Sequence, residues 1–66
     1  MKNIGILRND TKVVTFSIDS AGDYVDIVEK DRKTKKTINI TSIFPDQTEM
    51  YFRDYVRAGY KGFLNK

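Results

Sequence analysis

The side chains of this chain that can do chemistry are amines, guanidinium groups and carboxylates. Its 66 residues include no histidine and no cysteine. That removes imidazole acid–base work, thiol nucleophiles and most metal sites. Asp19 and Asp23 flank the turn Ser20-Ala21-Gly22. Their spacing is not that of a calcium loop, and aspartate in a turn usually bonds its own backbone. Gly5 and Gly22 are isolated, and no Gly-Lys-Ser or Gly-Lys-Thr step follows either one, so a phosphate loop is not encoded. The residue types therefore point away from an enzyme. No metal and no cofactor is expected.

The remaining chemistry is electrostatic. Twelve Lys and Arg against nine Asp and Glu leave a net charge of +3. Residues 30–36 hold five cations (Lys30, Arg32, Lys33, Lys35, Lys36) and one carboxylate, Asp31, a local +4 that leaves −1 for the rest of the chain. A patch of this kind steers towards phosphates or acidic protein surfaces. A hairpin tip can also be charged simply because it is solvated.

Size sets the next bound. A chain of 66 residues forms one domain. It buries only about 60% of its unfolded surface and is marginal alone. Without disulfides, a homodimer is the expected support. No apolar run has the length of a membrane span or a signal-peptide core, so a cytoplasmic, soluble protein with no membrane partner is expected.

The elements that must carry the basic segment read as a four-stranded antiparallel meander followed by one C-terminal helix, an α+β chain of order ββββα. Strands are expected near residues 3–8, 12–18, 23–30 and 35–43, and the helix over 45–59. Ile4 and Ile6 are expected to face the core with Val14, Phe16 and Ile18. That facing favours a three-residue Asn9-Asp10-Thr11 loop, because register follows the buried face. Val25 and Ile27 should then lie opposite Phe16 and Val14. Ile38 and Ile40 should lie inward, opposite Ile27 and Val25, with Glu29 against Lys36 and Arg32-Lys33 at the tip. Pro45 ends the fourth strand, because proline lacks a ladder N–H. Asp46 and Glu49 resemble a capping box. Phe52, Tyr55, Val56 and Gly59 recur at helical spacing and should face the sheet, with Arg53, Asp54 and Arg57 in water. Gly59 suits the helix end.

The second sheet face should then be polar and open, carrying Thr15, Ser17, Tyr24, Asp26, Val28, Lys30, Lys35, Thr37, Asn39 and Thr41. An aromatic on an open face beside a basic hairpin suits single-stranded nucleic acid, because cations follow phosphates while rings stack on bases. Tyr24 is the stacking candidate, and Lys30, Arg32, Lys33, Lys35 and Lys36 are the phosphate candidates. Tyr24 also fits a strand by propensity alone. The C-terminal region carries more aromatics than one helix face needs. Tyr51, Tyr55, Tyr60 and Phe63 either rim the core or form a dimer or partner surface.

One resemblance adds to this reading. Tyr24-Val25-Asp26-Ile27, the basic hairpin, Lys36-Thr37-Ile38-Asn39-Ile40 and Pro45-Asp46-Gln47 resemble the transcriptional-coactivator-type (Whirly-like) single-stranded DNA-binding domain. The likeness covers roughly the C-terminal two-thirds of the chain. It implies four antiparallel strands and a helix, dimerisation through the helix region, phosphate contacts by the hairpin cations and stacking by Tyr24. Two functions fit: a small nucleic-acid-binding accessory or regulatory protein preferring single-stranded DNA, and a module that regulates or inhibits a larger protein through its aromatic helix.

Overall fold

The computed structural model describes residues 2–65. Its fold is α+β. Strands β1 (Lys2–Arg8), β2 (Lys12–Ile18), β3 (Val25–Asp31), β4 (Thr37–Ile43) and β5 (Lys61–Leu64) form one antiparallel sheet in the order β4-β3-β2-β1-β5. A 3₁₀ turn, Pro45–Gln47, leads into helix α1 (Thr48–Arg57), which covers one face. The expected meander and helix are present, and a fifth strand follows them.

Leu7, Val14, Phe16, Val25, Ile27, Ile43 and Tyr60 are buried, and Ile4, Ile18, Tyr51, Phe52 and Tyr55 pack against them. Phe16 sits at the centre. Phe52 and Tyr55 each meet its ring edge-on, with centroids 6.1 Å away. Tyr60 in turn meets Tyr55 at 5.2 Å. Edge-to-face pairs of this kind contribute about 0.5–1.5 kcal/mol each beyond the area they bury.

The facing of β1 differs from expectation. Leu7, not Ile6, lies opposite Val14, and Ile6 lies opposite Thr15 on the other face. The cause is Asn9. Its Oδ1 accepts from the backbone N–H of Thr11 (3.0 Å) and of Lys12 (2.7 Å), while its own N–H donates to the Lys12 carbonyl. This closes a two-residue Asp10-Thr11 turn in place of the three-residue loop. The ladder slips by one residue between Asn3 and Gly5. That bulge gives Ile4 contact with the core as well.

β3 begins at Val25, two residues later than expected. Val25 and Ile27 are buried, but opposite Ile18 and Phe16. Asp19 lengthens the loop, accepting at Oδ1 from the N–H of Asp23 (2.8 Å) and of Tyr24 (3.4 Å). Its carboxylate thus serves the turn.

β4 departs furthest. Ile43 lies opposite Val25 and is buried, whereas Ile38 and Ile40 are 51% and 61% exposed on the open face. Asn39 and Thr41, expected outward, share the helix side with Glu29 and Ile27, their opposite neighbours. The β3–β4 connection is two residues longer than expected but leaves Thr37 on the open face, opposite Lys30. Asp31 Oδ1 accepts from the N–H of Lys33 (2.8 Å) and of Thr34 (2.9 Å), and Lys35 turns the chain at φ 62°. A second bulge, at Ile38, follows and turns over the residues after it. Glu29 therefore lies opposite Asn39 rather than Lys36, and its carboxylate accepts from the Tyr55 hydroxyl at 2.7 Å.

The Asp46–Glu49 capping box does not form, because the 3₁₀ turn moves the cap of α1 to Gln47. Gln47 Oε1 accepts from the Phe44 N–H (3.2 Å), and the Thr48 hydroxyl donates to the Pro45 carbonyl (2.8 Å). This turn rotates the helix so that Thr48, Tyr51, Phe52 and Tyr55 face the sheet and Val56 is exposed. The helix ends as expected, with Gly59 at φ 102°. β5 then closes on β1, placing Gly62 opposite Leu7. A Cβ on Gly62 would overlap the Ile6 carbonyl and come within 2.7 Å of the Leu7 Cα.

Three substitutions test this packing in urea denaturation. Leu7→Ala should cost about 2–5 kcal/mol and Ile6→Ala clearly less. A larger loss at Ile6 would restore the facing expected from the sequence. Gly62→Ala should cost about 1–3 kcal/mol, because the backbone of β1 cannot move aside cheaply.

Candidate nucleic-acid interface

Strand register decides what meets on the open face. Lys30 lies opposite Val13, Val13 opposite Arg8, and Arg8 opposite Lys61. Three exposed cations from β3, β1 and β5 thus share one row across the sheet. Strands are about 4.8 Å apart, so the row spans on the order of 14 Å. Arg8 and Lys61 lie 53 positions apart in the chain, and nothing local marks them as partners. Only the register of β5 could have revealed the row.

The basic loop lies at the same end of the sheet. Arg32 ties it to the β1–β2 turn: its Nη1 donates to the Asn9 carbonyl and its N–H to the Thr11 carbonyl, both at 2.9 Å. The Asp31 carboxylate is held below its usual pKa by the backbone N–H groups of Thr34 and Lys33. It therefore stays an anion at the foot of the loop. Lys33, Lys35 and Lys36 are exposed around it. An open concavity of about 740 Å³ joins the loop to the row, with Arg8, Arg32, Lys61 and Asp10 in its wall.

The next row inward is apolar apart from Thr15: Ile40, Val28, Thr15, Ile6 and Phe63 lie in line across all five strands. Phe63 is 58% exposed. It stands two residues from Lys61 on the same side of β5, on the order of 7 Å away. The open face is therefore less polar than the sequence suggests. Beyond the apolar row lie Ser42, Asp26 and Ser17, with the Ser42 hydroxyl donating to Asp26 at 2.7 Å.

Tyr24 is exposed, but it precedes β3 whereas the basic loop follows it. At about 3.3 Å per residue the two are on the order of 23 Å apart. Tyr24 stacks on Phe44, with ring centroids 5.7 Å apart. The structure brings Lys30, Arg32, Lys33, Lys35 and Lys36 together and separates them from Tyr24.

The four C-terminal aromatics do not form one surface. Tyr60 is only 9% exposed and belongs to the core, while Tyr51 and Tyr55 are partly buried beneath the helix. Phe63 alone is strongly exposed, and it lies on the opposite face of the sheet. Core packing consumed the aromatics that composition alone made available for a partner.

No family model matches the sequence, and no curated protein or solved structure resembles it significantly. Among the described residues, no helix is long and apolar enough to cross a membrane.

The Tyr55–Glu29 bond offers a titration test. Burial, then the hydrogen bond and charge of Glu29, push the Tyr55 hydroxyl above its ordinary pKa. A raised folded-state pKa contributes stability that is complete below the unfolded value, about 10. That contribution is lost as pH climbs from there through the folded value. Tyrosinate absorbance should show a late step at high pH that Tyr55→Phe removes. If the step survives in that variant, it belongs to another tyrosine.

Proposed function

We propose that this protein binds single-stranded nucleic acid, preferring DNA, and acts as an accessory or regulatory factor rather than an enzyme. The observation that carries this reading is the convergence of Lys30, Arg8 and Lys61 in one open-face row beside the basic loop. Cations from separate segments share one strip, interrupted only by Val13, which suits a chain of phosphates better than a single anion. Phosphate neutralisation releases condensed counterions, so most of the affinity would be electrostatic. Phe63, next to the strip, takes the base-stacking role that the sequence assigned to Tyr24. Stacking on an exposed ring tolerates any base, which fits a binder without strong sequence preference. The Whirly-like resemblance agrees with this reading in element order and in the basic hairpin.

The test is fluorescence anisotropy with a labelled mixed-sequence single strand and its duplex, each over a salt series. The single strand should bind more tightly, and its affinity should fall linearly with the logarithm of salt concentration. Arg8→Gln and Lys61→Gln should each reduce that slope by about 0.7. Phe63→Ala should cost about 1–3 kcal/mol of binding, and Tyr24→Ala much less. An unchanged salt slope in the Arg8→Gln/Lys61→Gln double variant would sink the proposal. No binding even at low salt would direct attention to a protein partner for the apolar row.

A further inference from the structure

The sheet has two free edges, β4 and β5. β5 has four residues and opens with Lys61. β4 has seven, Thr-Ile-Asn-Ile-Thr-Ser-Ile, without a charge or a proline. Its unpaired N–H and C=O groups form a ready template for another strand, and natural edges of this length are usually guarded by lysine, proline or a covering element. The bulge at Ile38 disturbs only its beginning and leaves residues 39–43 regular.

The geometry points to a second copy of this chain on that edge, antiparallel to the first about a two-fold axis through Thr41. Charge decides the direction. Lys35 and Lys36 precede β4, whereas Asp46 follows it and Asp26 flanks its far half through Ser42. An antiparallel pair sets the basic end of each copy against the acidic end of the other. A parallel pair would set lysines against lysines.

The chosen axis also satisfies the side chains. Lys36 and Asp46 lie just beyond the two ends of β4, so the pairing brings the Lys36 end of each copy to the Asp46 end of the other. Ile38 and Phe44 flank the regular stretch 39–43 on either side. Both are exposed apolar side chains, and the pairing brings the Ile38 end of each copy to the Phe44 end of the other. Ile40 then meets Ser42. Open-face residues pair only with open-face residues, so the two sheets join into one ten-stranded sheet with a continuous open face. Closed two-fold pairing consumes the β4 edge of both copies. This assembly differs from a helix-mediated dimer and does not depend on the nucleic-acid reading.

Sedimentation and cross-linking of the full chain test it. The protein should sediment as a dimer from micromolar concentrations upward. Lys36→Glu and Asp46→Lys should each weaken the dimer by about tenfold or more, because each sets like charges face to face. The double exchange should restore it. Cα atoms opposed across an antiparallel pair lie about 4.5–5.5 Å apart, within reach of a disulfide. Thr41→Cys, the sole cysteine of its variant, should therefore oxidise rapidly to a covalent dimer, and Ser20→Cys in the distant loop should not. A protein that stays monomeric, with both cysteine variants oxidising at the same slow rate, overturns the proposal. So does a dimer that fails to cross-link at Thr41 or is not rescued by the charge exchange, since its interface must lie elsewhere.

Discussion

The structure depends on the ring of Phe16. It sits on the central strand of a five-stranded sheet and receives the edges of Phe52 and Tyr55 from the helix. A domain this small has one core and little redundancy. Packing the helix onto Phe16 draws Tyr51 and Tyr60 into the same cluster. It also orients Tyr55 so that its hydroxyl reaches Glu29, a carboxylate on the helix side of β3. The aromatic excess of the C-terminal region is thus largely explained by the core, and its most exposed member, Phe63, lies on the other side of the sheet.

Covering one face with a single short helix leaves the other open. What appears there follows from two one-residue slips, at Ile4 and at Ile38. In a strand, a shift of one residue moves a side chain to the opposite face. Those slips and the Asn9-held turn bring Leu7 and Ile43 inward and send Ile6, Ile38 and Ile40 outward. The open face consequently has three zones: a cationic end, an apolar row and a hydroxyl- and carboxylate-bearing end. A ligand lying along the cationic end would meet Phe63 before any other exposed ring.

The same slips shape the sheet edge. With Ile43 inward, β4 presents hydroxyls, an amide and isoleucines, with charge only beyond its two ends. Because those flanking charges differ in sign, the edge has a preferred direction of pairing. An edge with lysine at its centre would have none of this selectivity and would resist pairing altogether.

By itself the sequence determined the element types. Alternation in β2, the turn residues at 19–22, Pro45 and Gly59 are local signals, and they mark the meander and the single helix correctly. The local charge of residues 30–36 was equally legible. The facing of β1 and β4 was not: the Asn9 side chain shortens the first turn by one residue, and a bulge at Ile38 turns over the rest of β4. β5 was hidden for a different reason. Lys61–Leu64 is too short to declare itself, and becomes a strand because β1 offers a free edge and Gly62 permits close approach. The candidate site was legible only in its loop. Its row joins Lys30, Arg8 and Lys61 through three pairings between segments distant in the chain, and long-range register is a property of the assembled sheet, decided by which faces the core can bury.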